Sequence, residues 1–214
     1  MIKGVIFDMD GVLFDSEDFG MDCLLAAARE QDIPMEKEHV TYSLGLNRTL
    51  FIEKCTQWFG EHDYLLMLRR WAELIFEKIE KQGMPLKKGM PQVLFDLKAR
   101  GVKLGLATSN ERYVADHYFK AAGIDGIMDA IATGDMVKNS KPAPDIYLEA
   151  ARQMGLEPQE CAGVEDSFNG VRAIRAAGMT SVMIPDLKPY IPEHAPYVDL
   201  LLTDLTQLIP SLFK

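Results

Sequence analysis

The segment VIFDMDGVLFDS, at positions 5–16, carries the strongest fold signal in the sequence. Its apolar start at residues 5–7 predicts a buried β-strand, and Asp8 and Asp10 follow directly at the end of that strand. Because side chains alternate along extended backbone, residues two apart point to the same side, so we expect both carboxylates to face one site. Gly11 lets the chain turn sharply immediately after them.

Further apolar runs of strand length recur along the chain. They lie at residues 102–107, 130–133, 161–164, 180–184 and 199–202. Helical patterns alternate with them at residues 90–100, 111–122, 142–154, 167–177 and 205–212. This alternation predicts an α/β protein whose core is a three-layer, Rossmann-like parallel sheet with right-handed crossovers.

One long segment interrupts the alternation. Between about residues 17 and 82 the apolar residues recur at helical spacing, and no strand-like run separates them. We therefore expect an α-helical domain at residues 16–83, inserted into a core domain made of residues 1–15 and 84–214.

Two further segments carry groups suited to a phosphate. LGLATSN (104–110) is an apolar strand that ends in Thr108, Ser109 and Asn110 before a helix, where hydroxyls and backbone N–H groups bind anions well. SKPAPDIY (140–147) holds Lys141 next to two prolines that stiffen the segment. A rigidly placed lysine there can neutralise charge on a carboxylate nucleophile and on a phosphoryl group.

The segment AGVEDS (162–167) places two adjacent carboxylates, Glu165 and Asp166, at the end of another buried strand. Adjacent buried carboxylates repel each other unless a cation or hydrogen bonds offset their charge. Mg²⁺, which prefers carboxylate, carbonyl and water oxygens, is the cation that this pattern favours.

Composition excludes several classes of protein. The chain has 214 residues, a formal net charge of −9 and no segment rich in Lys and Arg, so we expect neither a nucleic-acid partner nor a membrane-surface partner. No apolar run is long enough to span a bilayer, and the N-terminal pattern is unlike that of a signal peptide. Three widely spaced cysteines are typical of buried thiols in a reducing compartment, so we expect a cytoplasmic protein. We also expect the protein to be a monomer.

Taken together, DMDGVLFDS, ATSN, SKPAPD and GVEDS resemble, in order and spacing, the four motifs of the haloacid dehalogenase-like (HAD) superfamily of phosphohydrolases. The resemblance covers essentially the whole chain. The helical insert is similar to the cap of the subfamily that contains β-phosphoglucomutase and phosphoglycolate phosphatase. The second acid, Asp10, excludes the true dehalogenases and the phosphonate-cleaving members, which lack it.

The resemblance implies a role for each motif residue. Asp8 would form an aspartyl-phosphate and bind Mg²⁺, and Asp10 would act as acid and base, with its backbone carbonyl on the metal. Asp166 would be a metal ligand, and Glu165 a ligand directly or through water. The residues expected to contact the phosphoryl group are Thr108, Ser109, Asn110 and Lys141.

The expected activity is Mg²⁺-dependent hydrolysis of a small phosphorylated metabolite. A β-phosphoglucomutase-like phosphomutase is the alternative, since it shares every core residue, and a non-catalytic binding domain is a third reading. Family mutases carry a histidine and a lysine where this chain has Gly20 and Leu44, the latter followed by Gly45. Gly20 indicates either close packing between the helical insert and the core domain or space open to substrate. Arg48 is either a contact for an anionic substrate group or an exposed residue at a helix start.

Overall fold

The predicted sheet is present in the computed structural model, which describes residues 1–43, 46 and 48–213, without the side chain of Glu17. Its strands are β1 (Gly4–Phe7), β2 (Lys103–Thr108), β3 (Ala130–Thr133), β4 (Cys161–Glu165), β5 (Thr180–Met183) and β6 (Leu200–Leu201). Among the described residues these strands form one parallel sheet in the order β3-β2-β1-β4-β5-β6. The predicted α/β fold with a Rossmann-like parallel core is confirmed.

The central strands are mostly apolar because both of their faces are buried. Every residue of β1 and of β4 is buried. Parallel strands covered on both sides read as continuous apolar runs, which is why the sequence showed them so clearly.

Helices lie between the strands of the sheet and also form the segment between β1 and β2. The helices are α1 (Ser16–Arg29), α2 (Lys37–Ser43), α3 (Arg48–Phe59), α4 (Tyr64–Gln82), α5 (Gln92–Ala99), α6 (Arg112–Ala121), α7 (Asp145–Met154), α8 (Phe168–Ala176) and α9 (Leu208–Leu212). Helix α7 begins three residues later than the pattern predicted, after Pro142 and Pro144. No helix among the described residues is both long enough and apolar enough to cross a membrane.

The chain divides into two compact units, one made of Met1–Asp15 and Pro85–Lys214, and the other of Ser16–Met84. The first unit contains the whole sheet, and the second contains α1 to α4. The role of the second unit as a cap domain stays a prediction.

Sheet register determines which residues meet at the carboxyl edge. Phe7, the last residue of β1, pairs with Leu106 of β2 on one side and with Val164 of β4 on the other. Asp8 follows immediately, and its backbone N–H donates to Val164 O at 2.9 Å. The strand order reverses on either side of β1, and in open α/β sheets ligands bind at this point. The topology therefore places the residues that follow β1, β2 and β4 at one edge.

Within the helical unit, Gly20 lies where α1 packs on α4. The indole Nε1 of Trp71 donates to Gly20 O at 2.9 Å, and a β-carbon on Gly20 would lie 3.4 Å from Ile75 Cδ1. Gly20 is therefore packed against a neighbouring helix, in agreement with one of the two interpretations left open by the sequence. A β-carbon there would make only ordinary van der Waals contacts, so the packing does not by itself require glycine. The packing partner is a helix of the same unit, whereas the sequence suggested the core domain.

Candidate active site

Lys141 connects the ends of three strands. Its Nζ donates to Asp8 Oδ1 at 2.5 Å, to Glu165 Oε1 at 2.6 Å and to the backbone oxygen of Ala107 at 3.0 Å. These contacts use all three N–H groups of the ammonium. The lysine side chain is only 8% exposed, so its position is fixed before any ligand binds.

The loop before α7 holds Lys141 rigidly. Pro142 and Pro144 restrict the backbone on the C-terminal side of the lysine. The carboxylate of Asp145 accepts hydrogen bonds from the backbone N–H of Asn139 at 3.3 Å and from its side-chain amide at 2.9 Å, which closes the loop from the other side. The lysine is thus presented by a segment with little freedom to move.

Glu165 accepts hydrogen bonds at both of its carboxylate oxygens. Its Oε1 accepts from Lys141 and from the Tyr147 hydroxyl, the latter at 3.0 Å. Its Oε2 accepts from the backbone N–H groups of Asp166 and Ser167, both at 3.1 Å, and from the Ser167 hydroxyl at 2.9 Å. A β-carbon on Gly170 would lie 1.8 Å from Glu165 Cδ, so only glycine fits there. This geometry favours Glu165 as an anchor for Lys141, and its expected contact with a metal stays a prediction.

Tyr147 is a member of this network that the sequence did not reveal. Its side chain is fully buried, its hydroxyl donates to Glu165, and the Lys141 Nζ lies 5.2 Å from its ring centroid. In the sequence it is one more apolar-face residue of a helix, since it occupies a core position of α7. The sequence signal that could have identified Tyr147 is a hydroxyl group on the apolar face of a helix, six residues after Lys141.

The charges of this network shift the pKa values of its members in different directions. Burial raises the pKa of Asp8 well above its ordinary value despite the nearby Lys141, and the charges of Glu165 and Asp10 add to the rise. Burial acts against the Lys141 ammonium, but Asp8 and Glu165 more than offset it, so the pKa of Lys141 lies above its ordinary value. Burial also opposes ionisation of Glu165, yet Lys141 and the Ser167 hydrogen bonds hold its pKa below the ordinary value. Additional positive charge beside Asp8 would therefore favour its ionised form.

The end of β2 contributes a second group of polar residues. The Asn110 amide donates to Asp10 Oδ2 at 2.6 Å, and the Asn110 backbone N–H donates to Thr108 Oγ1 at 3.1 Å. Thr108 is buried and Ser109 is exposed. Asn110, expected to contact phosphate, thus also holds the Asp10 carboxylate, a contact that the sequence did not predict.

Three acids of the edge have the spacing of a cation site. Carboxylate oxygens of Asp8, Glu165 and Asp166 all lie within 4.8 Å of one another, and all three residues are buried. A β-carbon on Gly11 would lie 2.7 Å from Asp166 Oδ2, so glycine keeps that side of the carboxylate open. Buried oxygen donors with surplus negative charge suit a hard divalent cation. Binding of Asp10 to it through the backbone carbonyl stays a prediction.

Arg48 is an exposed residue at the start of α3, in the helical unit, and its contact with substrate stays a prediction. Leu44 and Gly45, on which the comparison with family mutases drew, lie outside the described residues.

The Tyr147 hydroxyl can be tested with the variant Tyr147→Phe. We expect it to lower the free energy of unfolding by about 1–3 kcal/mol, because one donor to a buried carboxylate is lost while the packing is kept. Urea unfolding in EDTA measures this change. Tyr42→Phe, the same deletion at a position 59% exposed, serves as control and is expected to change nothing. Equal stability of the two variants would contradict the role of the hydroxyl.

Comparison with known proteins gives the following matches. The chain matches the sequence profile of the haloacid dehalogenase-like hydrolases over residues 2–178. It is 28% identical over 212 residues to hexitol phosphatase B of Escherichia coli (strain K12), covering 97% of this chain and 94% of that protein. It is 31% identical to Protein SUPPRESSOR OF QUENCHING 1, chloroplastic, of Arabidopsis thaliana over 86% of this chain, which spans only 18% of that protein. The crystal structure of β-phosphoglucomutase from Clostridium difficile superposes with a TM-score of 0.82 at 25% identity, covering 97% of this chain and 93% of that one.

Proposed function

Because the chain belongs to the haloacid dehalogenase-like hydrolases, we propose that it is a Mg²⁺-dependent phosphatase acting on a small phosphomonoester, such as a sugar phosphate, through an aspartyl-phosphate on Asp8. The observation that carries this proposal is the Lys141 ammonium, which bridges Asp8 and Glu165 beside the Asp166 carboxylate. The phosphatase activity named for its Escherichia coli relative supports the substrate class.

In the first step, Asp8 attacks the phosphorus atom of the substrate. Lys141 holds Oδ1 of Asp8, so the other carboxylate oxygen is oriented for attack while the ammonium offsets charge on the phosphoryl group. The bond from phosphorus to the leaving oxygen breaks, and Asp10 donates a proton to that oxygen. Asn110 supports this role because its amide fixes Oδ2 of Asp10.

In the second step, the aspartyl-phosphate is hydrolysed. Asp10, now deprotonated, takes a proton from water, whose oxygen attacks phosphorus. The bond between phosphorus and the Asp8 oxygen breaks, inorganic phosphate leaves and both acids return to their starting states. Thr108, Ser109 and Asn110 at the end of β2 are the proposed contacts of the phosphoryl oxygens.

Asp8 and Asp166 would hold a magnesium ion, which would supply positive charge beside the transferring phosphoryl group. This assignment agrees with the raised pKa of Asp8, since a bound cation favours the ionised carboxylate that attack requires.

The metal assignment predicts that EDTA abolishes phosphate release and that added Mg²⁺ restores it. Ca²⁺ is expected to inhibit, because its larger and looser coordination shell disturbs the alignment of nucleophile and phosphorus. The measurement is release of inorganic phosphate from p-nitrophenyl phosphate by enzyme that has been treated with EDTA. Full activity of that enzyme without added metal would contradict the assignment.

A phosphomutase is the second candidate, favoured by the structural similarity to β-phosphoglucomutase. Both reactions pass through the same aspartyl-phosphate, and they differ in whether water or a sugar hydroxyl attacks it. A mutase must hold a sugar bisphosphate, which needs cationic groups for the second phosphate. This chain has Arg48 but places Leu44 where family mutases have lysine, so we favour the hydrolase.

The two candidates are separated by a panel of hexose and hexitol phosphates with Mg²⁺, including β-glucose 1-phosphate primed with β-glucose 1,6-bisphosphate. We expect net phosphate release from several substrates and little glucose 6-phosphate. Formation of glucose 6-phosphate much faster than phosphate release would identify a mutase.

We further propose that the enzyme acts as a cytoplasmic monomer. The three cysteines, Cys23, Cys55 and Cys161, are buried free thiols, which supports a reducing compartment. Size-exclusion chromatography with light scattering tests the oligomeric state.

A further inference from the structure

Asp186 is an acidic residue of the same edge that the mechanism above does not use. It follows β5, which pairs with β4 in the register Glu165 with Met183. Beyond the pair, Ile184 N–H donates to Glu165 O at 2.8 Å, so the two chains continue side by side past the strand ends. This pairing brings Asp186 towards the segment that carries Asp166.

The two oxygens of Asp186 have different surroundings. Oδ1 accepts from Lys87 Nζ at 2.6 Å, and the same ammonium donates to Asp15 Oδ1 at 3.2 Å. Oδ2 is buried, and no donor among the residues that the structure describes reaches it. Buried carboxylate oxygens nearly always have a hydrogen-bond partner, so this one calls for an explanation.

Oδ2 of Asp186 faces the same place as the proposed metal ligand Asp166. A β-carbon on Gly11 would lie 3.2 Å from Asp186 Oδ2 and 2.7 Å from Asp166 Oδ2, so both oxygens border the space beside this glycine. Gly11 has a φ of +74°, a conformation that glycine adopts without strain. Two carboxylate oxygens facing one space repel each other unless a donor or a cation lies between them.

We propose that Asp186 is a positioning residue of the metal site, where its Oδ2 accepts a hydrogen bond from a water molecule bound to the ion that Asp166 holds. The inference rests on the proposed function. Mg²⁺ usually keeps several of its waters, and carboxylates that bind those waters orient the coordination shell. Lys87 holds Oδ1, which fixes the direction in which Oδ2 points.

The test is the affinity of the metal-free protein for Mg²⁺, measured by isothermal titration calorimetry without substrate. In Asp186→Asn, Lys87 selects the amide oxygen, so the NH₂ group replaces Oδ2 and can no longer accept a hydrogen bond. We expect the Kd for Mg²⁺ to rise about tenfold. Asp186→Ser, which also removes the acceptor from this position, is expected to act in the same direction.

Asp15→Asn is the matched control, because it removes the same charge from a second partner of Lys87. We expect its Kd to stay within about twofold of the wild-type value, since the exposed Asp15 is screened by solvent. With Mn²⁺ in place of Mg²⁺, electron paramagnetic resonance spectra are expected to change in Asp186→Asn and not in Asp15→Asn, because the line shape reports the symmetry of the coordination shell.

Asp166→Ala separates this inference from the function on which it rests. If Asp166→Ala raises the Kd by about 100-fold or more while Asp186→Asn binds like wild type, the role of Asp186 is overturned and the metal site stands. Equal losses in Asp15→Asn and Asp186→Asn would also overturn it, because charge alone would then explain the effect. Unchanged Mg²⁺ binding in Asp166→Ala would reject the proposed metal site itself.

Discussion

Asp8→Asn is expected to lower kcat by about 10⁴-fold or more, the scale of losses seen when a covalent nucleophile is removed. An amide does not form an acyl-phosphate, so the pathway through the covalent intermediate is closed. The substitution keeps the shape of the side chain and an oxygen that can accept from Lys141, so we expect the protein to fold normally. The raised pKa of Asp8 also supports normal folding of this variant, because burial already disfavours the charged form that asparagine lacks.

The measurement is the rate of phosphate release with Mg²⁺, together with urea unfolding of the same preparation. Asp125→Asn, the same chemical change at an exposed position of the core unit, serves as control and should retain full activity. Near-normal Mg²⁺-dependent activity of Asp8→Asn would contradict a covalent mechanism.

Lys141→Met is expected to affect both stability and rate. Loss of the Lys141 ammonium leaves Asp8 and Glu165 buried without their shared cation. Removing one partner of a buried ion pair destabilises a protein by about 3–5 kcal/mol, so we expect a loss of that size. We expect kcat to fall at least about 10²–10³-fold, because the ammonium also offsets charge on the transferring group.

Urea unfolding in EDTA reports the stability change without compensation by a bound cation. Lys138→Met removes an exposed lysine three residues away and is expected to change neither quantity. Wild-type turnover by Lys141→Met would show that the network is structural only.

Much of the fold could be predicted from the sequence because its strands are covered on both faces. Each apolar run from β1 to β5 became a strand within one residue at either end. The last run, residues 199–202, formed only the two-residue strand β6. An edge strand has a hydrogen-bonding partner on one side only, so fewer of the residues in an apolar run there need to adopt strand conformation.

The candidate site was predictable in part for the same reason. Residues at the ends of parallel strands meet at one edge, so Asp8, Lys141, Glu165 and Asp166 could be grouped from their positions after apolar runs. Tyr147 and Asp186 could not, because a contact between distant segments leaves no periodic trace in a sequence. The choice of Glu165 as anchor depends on five donors whose directions only folding determines.

The central claim is that the phosphoryl group passes through Asp8, and the most direct measurement is the mass of the protein during turnover. Asp10→Asn lacks the base that activates water, so the phosphoenzyme is expected to accumulate with a substrate whose leaving group needs no proton. After acid quenching, intact-protein mass spectrometry should show the addition of one phosphoryl group, and peptide mapping should place it on Asp8. We expect the double variant Asp8→Asn with Asp10→Asn to show no added mass. A phosphoryl group on a residue other than Asp8 would contradict the covalent mechanism. Turnover by wild type with no phosphoenzyme detected in wild type or in Asp10→Asn would contradict it as well.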